Sequence, residues 1–246
     1  MTAELRAREQ TRARYPDESG YVERDGVRLY WERYGDGEPT VLLLPTWSII
    51  HSRLWKMQIP YLARHCRVLT FDGRGNGRSD RPPRGYGEAE FAADALAVMD
   101  ATATERAVLV SLSQGAQRAL LLAAEHPERV DRAVFICPSV PLGGVLDHRA
   151  GVDWENELDT DEGWAKYNRH YWLRDYRGFL DFFFSQMFNE PHSTKPIEDC
   201  VGWALETTPE TLIATELDPR LTTEETLYDA GYQITASCDC GLDRDH

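Results

Sequence analysis

Four strand-like runs of six residues each constrain this chain more than any other feature: Val41–Thr46 (VLLLPT), which is continuously apolar, Arg67–Asp72 (RVLTFD), Ala107–Leu112 (AVLVSL) and Ala133–Pro138 (AVFICP). A strand with one face in water alternates apolar and polar residues, whereas a continuous apolar run suits a strand buried on both faces. The stretches between the runs read as helical. Residues 55–64 (WKMQIPYLAR) are helical in part, with Pro60 as the limit. Residues 88–100 place Phe91, Ala95, Val98 and Met99 on one helical face, and residues 114–126 are rich in Ala and Leu. Buried strands alternating with helices imply βαβ units and an α/β fold with a mostly parallel sheet. Ahead of them, residues 21–35 read as two short strands around Asp25-Gly26, a pair that tolerates positive φ and closes a hairpin.

The pattern changes after Pro141. Residues 150–220 have helical periodicity and a dense set of aromatics, among them Trp154, Trp164, Tyr167, Tyr171, Trp172, Tyr176, Phe179, Phe183 and Phe184. Two readings stand side by side: a lid that lines an apolar pocket, or the core of a small helical subdomain. The organisation expected is an N-terminal arm over 1–20, frayed and partly helical, a core over 21–145, a helical lid over 146–220 and a short tail over 221–246. Internal repeats and low-complexity segments are not evident.

Composition excludes several functions. With 246 residues, 42% of them hydrophobic, the chain can bury one sizeable core. It has no apolar run of about 18 residues, the length that would cross a bilayer. Its first twenty residues carry four arginines without an apolar stretch behind them, so they are no secretory signal, and their acids argue against a transit peptide. A cytoplasmic location is the expectation. The net charge is −14, and residues 151–246 account for all of it, holding 21 of the 41 acidic residues but 7 of the 27 basic ones. With no basic stripe to replace phosphate counterions, nucleic acid is a poor partner. The five cysteines (Cys66, Cys137, Cys200, Cys238 and Cys240) are odd in number and scattered, which does not suit a disulfide framework. Cys238-x-Cys240 has no second pair near it to complete a metal site. No cofactor or metal is implied.

The segment that carries chemistry is Val108–Ala124 (VLVSLSQGAQRALLLAA), where a strand runs through Ser111-Leu112-Ser113-Gln114-Gly115 directly into a helix. A nucleophile at the tip of such a turn needs small residues two before and two after it, or strand and helix cannot approach. Ser111 and Gly115 meet that need. The helix behind Ser113 would offer backbone N–H groups and a positive dipole end to a developing oxyanion. The plainer reading is that Ser113 caps the helix.

This segment resembles the G-x-S-x-G nucleophile elbow of the α/β-hydrolases, with Ser111 in place of the first glycine. Phe71–Pro82 (FDGRGNGRSDRP) resembles the D-x-R-G-x-G-x-S-D-x-P loop of the same family, with Asp72, Arg74, Gly75, Gly77, Ser79, Asp80 and Pro82 at the matching places. That loop fails the dinucleotide spacing G-x-G-x-x-G, because Asp80 stands at the last glycine, and its expected role is structural. Val41–Ser48 (VLLLPTWS) lies where the family often has a strand followed by His-Gly; here Pro45 and Thr46 stand instead. The resemblance covers roughly residues 21–141. It implies the α/β-hydrolase fold with an aromatic-rich helical lid. It also implies Ser113 as nucleophile, the backbone N–H groups of Trp47 and Gln114 as oxyanion donors, and a small apolar acyl substrate. The expected reaction is hydrolysis of a carboxylic ester or related acyl compound through an acyl-enzyme.

In that family the acid and then the histidine follow the serine. Gln233–Cys238 (QITASC) could form the next strand, and Asp243 or Asp245 could be the acid, but His246 adjoins them with no strand to carry it over the elbow. His51 lies just past the oxyanion segment, His148, His170 and His192 fall in the lid region, and His65 and His126 stand at helix ends. The sequence therefore predicts missing C-terminal strands and an open sheet edge, as in a truncated or frameshifted reading. The alternative to catalysis is a degenerate hydrolase-like protein that binds an apolar ligand or partner.

Overall fold

The computed structural model describes residues 12–140 and 153–217. The expected hairpin is present as β1 (Glu18–Arg24) and β2 (Val27–Tyr34), with Asp25 and Gly26 both at positive φ (51° and 78°). The four strand-like runs give β3 (Thr40–Leu43), β4 (Arg67–Phe71), β5 (Ala107–Leu112) and β6 (Val130–Ile136). The sheet order is β1-β2-β4-β3-β5-β6. β2 pairs antiparallel with β1 and β4, and the β4-β3, β3-β5 and β5-β6 pairings are parallel. This is the mostly parallel sheet that the alternation of runs and helices implies.

Both faces of the central strands are covered, which is why their runs do not alternate. Leu42, Leu44, Leu69, Phe71 and Leu109 pack on one face against α2 (Glu88–Ala101) and α3 (Gly115–Glu125), where Ala95, Val98, Met99, Ala119 and Leu122 are buried. The other face carries Val41, Leu43 and Val68, under Trp55, Ile59 and Ala63 from a 3-10 turn and the short α1 (Ile59–Leu62). Burying side chains of this size stabilises by about 1.5–3 kcal/mol each.

At its far edge the sheet is less covered. Among the described residues β6 is bonded to β5 alone, and Val134, Phe135 and Ile136 are 46%, 39% and 39% exposed. The expected next strand, Gln233–Cys238, lies outside the described residues, as do Cys238 and Cys240, His148, Asp243, Asp245 and His246.

The aromatic stretch forms α4 (Arg169–Arg174), α5 (Tyr176–Met187), α6 (Thr194–Ala204) and α7 (Pro209–Leu217). Its rings pack on one another: Trp172 stacks on Phe179 at 4.4 Å, and Trp154 meets Trp172 edge-on at 4.8 Å. This layer shares one apolar cluster with Trp47, Ile49 and Ile50 from the loop after β3. No helix among the described residues is long and apolar enough to cross a membrane.

One stretch expected to be a frayed arm is partly held down. Arg12 pairs with the buried Glu32 on β2, and β1 already begins at Glu18. A buried carboxylate needs a cation, and the sequence alone does not say which of the nearby arginines supplies it.

Candidate active site

Ser113 stands between the end of β5 and the start of α3 with φ at +52°, in the left-handed region that a non-glycine residue adopts at a cost of about 1–2 kcal/mol. Three backbone bonds hold it there. Its N–H donates to the Ile136 carbonyl (3.0 Å), and its own carbonyl accepts from Ala116 (3.1 Å) and from Ser139 (3.0 Å). The small neighbours do what the turn demands. Ser111 is fully buried with its Oγ on the Val134 carbonyl (3.2 Å), and a Cβ added at Gly115 would stand 2.7 Å from the Pro45 carbonyl oxygen. The start of α3 is thus pressed against the loop that leads to Trp47.

The two expected oxyanion donors lie on these two abutting segments. No backbone carbonyl among the described residues accepts from the N–H of Trp47 or of Gln114. The Trp47 side chain points away into the helical layer, where its ring lies 5.4 Å from Phe183 and its Nε1 donates to Thr215 Oγ1 (3.2 Å).

Behind the two segments lies a buried ionic group that reading the sequence did not find. Arg118 and Glu88 are each 1% exposed and pair at 2.8 Å through Arg118 Nε. Arg118 Nη1 donates to the carbonyls of Pro45 (2.9 Å) and Thr46 (2.7 Å), and Gln114 Nε2 donates to the second Glu88 oxygen. The one sequence signal was an arginine one turn past Gly115, on the face that Ala119 and Leu122 bury.

The glycine-rich loop after β4 is structural, as its failed nucleotide spacing suggests. Asp72 accepts from Ser52 N (3.1 Å), Ser52 Oγ (2.6 Å) and Arg78 N (2.9 Å). Arg74 forks onto Asp94, and Asn76 Nδ2 donates to the carbonyls of Ser48 (3.1 Å) and Ile50 (2.6 Å). The loop therefore anchors residues 48–52, next to Trp47.

The histidines are placed as follows. His51 is buried; its Nδ1 accepts from Arg53 N (3.4 Å), its Nε2 faces Glu206 (3.5 Å), and its ring lies against Trp203. His170 Nε2 meets the Glu155 carbonyl (2.8 Å), His65 rests on Tyr61, His126 caps the end of α3 beside Glu128, and His192 is exposed. None of these five is hydrogen-bonded to Ser113 among the described residues.

Comparison with known proteins agrees with this architecture. The model of the alpha/beta hydrolase fold matches residues 39–189, more than half of the chain. The chain belongs to the α/β-hydrolase fold family. A putative non-heme chloroperoxidase of Synechocystis sp. is 33% identical over 132 residues, which is 52% of this chain and 46% of that protein. Rhodomycin D methylesterase of Streptomyces sp. (strain C5) is 35% identical over 144 residues, 56% of this chain and 45% of the esterase. The chain thus matches a little under half the length of these curated relatives. Among solved structures, Est816, an N-acyl homoserine lactone degrading enzyme, superposes with a TM-score of 0.63 at 27% identity, covering 81% of this chain and 72% of that one.

Proposed function

We propose that the chain is a serine hydrolase that uses Ser113 to cleave a carboxylic ester or related acyl compound with an apolar body. The observation that carries this reading is Ser113, held at φ +52° on the strand-to-helix turn beside a loop whose Trp47 N–H, like that of Gln114, meets no backbone acceptor among the described residues. A strained serine between a parallel strand and a helix N-terminus is costly as a plain cap and useful as an exposed nucleophile. Relatives named as a methylesterase and a lactone-degrading enzyme support ester-type substrates.

In this mechanism Ser113 Oγ adds to the acyl carbon while a base takes its proton. The carbonyl oxygen becomes an oxyanion between the Trp47 and Gln114 N–H groups. The alcohol then leaves with that proton, and water cleaves the acyl-serine by the same route. The family resemblance assigns the base to a histidine and its orienter to Asp243 or Asp245. General-base help is typically worth ~10²–10⁴-fold. A second reading, a hydrolase-like protein that binds an apolar ligand without turnover, is favoured by one fact: none of the five described histidines is bonded to Ser113.

A fluorophosphonate probe separates the two. Its phosphorus is attacked by an activated serine and fluoride leaves, so a phosphonyl adduct on Ser113, located by mass spectrometry and lost in Ser113→Ala, is the expected result. A folded protein with no adduct overturns the catalytic reading and leaves the binding one. With an adduct in hand, His51→Ala and His246→Ala identify the base by which of them abolishes labelling.

A further inference from the structure

The geometry points to Arg118, held by Glu88, as the positioning residue that sets both halves of the oxyanion hole; this inference rests on the serine-hydrolase reading above. The peptide between Thr46 and Trp47 contains both the carbonyl that Arg118 grips and the N–H that would meet the oxyanion. In a trans peptide these two groups point in opposite directions in one plane. Nη1 at 2.7 Å from the Thr46 oxygen and 2.9 Å from the Pro45 oxygen therefore fixes where the Trp47 N–H points. A cation on the carbonyl side also polarises the amide, which makes the N–H a stronger donor.

The other donor is tied to the same group. Glu88 takes Arg118 Nε on one carboxylate oxygen and Gln114 Nε2 on the other. Gln114 follows Ser113 and supplies the second N–H. One carboxylate on the first turn of α2 thus couples the loop after β3 to the start of α3. The Arg118 guanidinium is further fixed by the Phe91 ring, 3.6 Å below it. A guanidinium offers a rigid planar fork, so it holds a carboxylate and two carbonyls from different atoms in fixed directions, whereas an ammonium carries its three donors on one rotatable atom.

The arrangement is more than a structural ion pair would require. Glu88 and Arg118 already satisfy each other's charge, and an apolar pair would fill the same space. The two extra bonds run to the backbone that carries the first donor, and the carboxylate's spare oxygen runs to the residue that carries the second.

The test compares Arg118→Met, Arg118→Lys and Glu88→Gln with the wild type. It uses p-nitrophenyl butyrate kinetics and the amide NMR signals of Trp47 and Gln114, at a temperature well below each variant's Tm. Loss of one oxyanion donor typically costs ~10²–10³-fold. Arg118→Met is expected to lower kcat by about that factor with KM within about threefold, because the lost interaction exists in the transition state alone. Arg118→Lys is expected to recover part of kcat. The Trp47 amide moves in Arg118→Met, and the Gln114 amide in Glu88→Gln. A folded Arg118→Met with wild-type kcat and an unmoved Trp47 amide overturns the inference. If the wild type neither hydrolyses the ester nor takes the fluorophosphonate, the catalytic reading fails by itself and the amide shifts alone decide the clamp. If Arg118→Met does not fold, Arg118→Lys and Glu88→Gln decide it by the same readouts.

Discussion

Gly115 and Pro45 touch across the gap between α3 and the loop after β3, so closely that a methyl group at Gly115 would come within 2.7 Å of the Pro45 oxygen. That oxygen belongs to backbone and cannot swing aside. The contact sets the distance between the turn carrying Ser113 and the segment carrying Trp47.

Gly115→Ala is therefore expected to cost more in activity than in stability. Alanine gains up to about 1 kcal/mol in helix propensity over glycine. Overpacking costs typically about 1–3 kcal/mol, so with that gain the net loss in unfolding free energy is at most about 2 kcal/mol. In the proposed mechanism a shift of the loop by a fraction of an ångström misplaces the Trp47 donor, and misplacement by about 1 Å can cost ~10²-fold in rate. Fluorophosphonate labelling should slow measurably, by up to that factor, while Tm falls by a few degrees. A variant that labels at the wild-type rate would show that the contact does not set the site.

The positive φ of Ser113 gives a prediction independent of any substrate. Ser113→Ala and Ser113→Gly both remove the hydroxyl, but alanine keeps the strained Cβ and glycine does not. At φ +52° glycine is the easier residue by about 1–2 kcal/mol, partly offset by its greater freedom when unfolded. Ser113→Gly is expected to be the more stable of the two by about 1 kcal/mol in denaturant titration. Equal midpoints would mean that the turn relaxes out of the left-handed region once the side chain is gone.

The fold was legible where periodicity is strong and local. The face Phe91, Ala95, Val98 and Met99 gave the helix that forms as Glu88–Ala101, and Asp25-Gly26 gave the hairpin. Strand ends were less legible. VLLLPT reads as one strand to Thr46, yet β3 stops at Leu43, because Pro45 has no N–H to donate and Arg118 takes the Pro45 and Thr46 carbonyls. The tight strand-to-helix turn at Ser113 could be read because its requirements, small residues two before and two after Ser113, lie within five positions. Glu88 and Arg118 could not be paired in advance. They are 30 residues apart on different helices, and they meet because α2 and α3 pack side by side on one face of the sheet. Likewise nothing local says that Arg12 belongs to Glu32.

That last pair gives a pH dependence with a definite sign. Glu32 is 1% exposed and lies between Arg12 and Arg53, with the hydroxyls of Tyr34 (2.6 Å) and Tyr30 (2.9 Å) donating to it. Burial alone would raise its carboxyl. The hydrogen bond from Arg12, the charge of Arg53 and the hydrogen bond from Tyr34 outweigh burial and hold it at about 2, against 4.5 for an ordinary glutamate. A carboxyl depressed in the folded state contributes stability that is fully present above its unfolded pKa. That contribution fades as pH falls from about 4.5 and is gone once pH has passed below about 2. Glu32→Gln removes the charge and leaves Arg12 and Arg53 facing each other without it. Breaking one side of a buried pair costs about 3–5 kcal/mol, and the amide retains some hydrogen bonding, so a loss of about 3 kcal/mol at pH 7 is expected. Between pH 4.5 and 2 the wild type should lose stability faster than Glu32→Gln, so that the two unfolding curves converge in acid. Urea titrations at pH 7, 4 and 3 measure this. A constant gap across that range would mean that Glu32 contributes through packing and hydrogen bonds, and that its charge adds nothing.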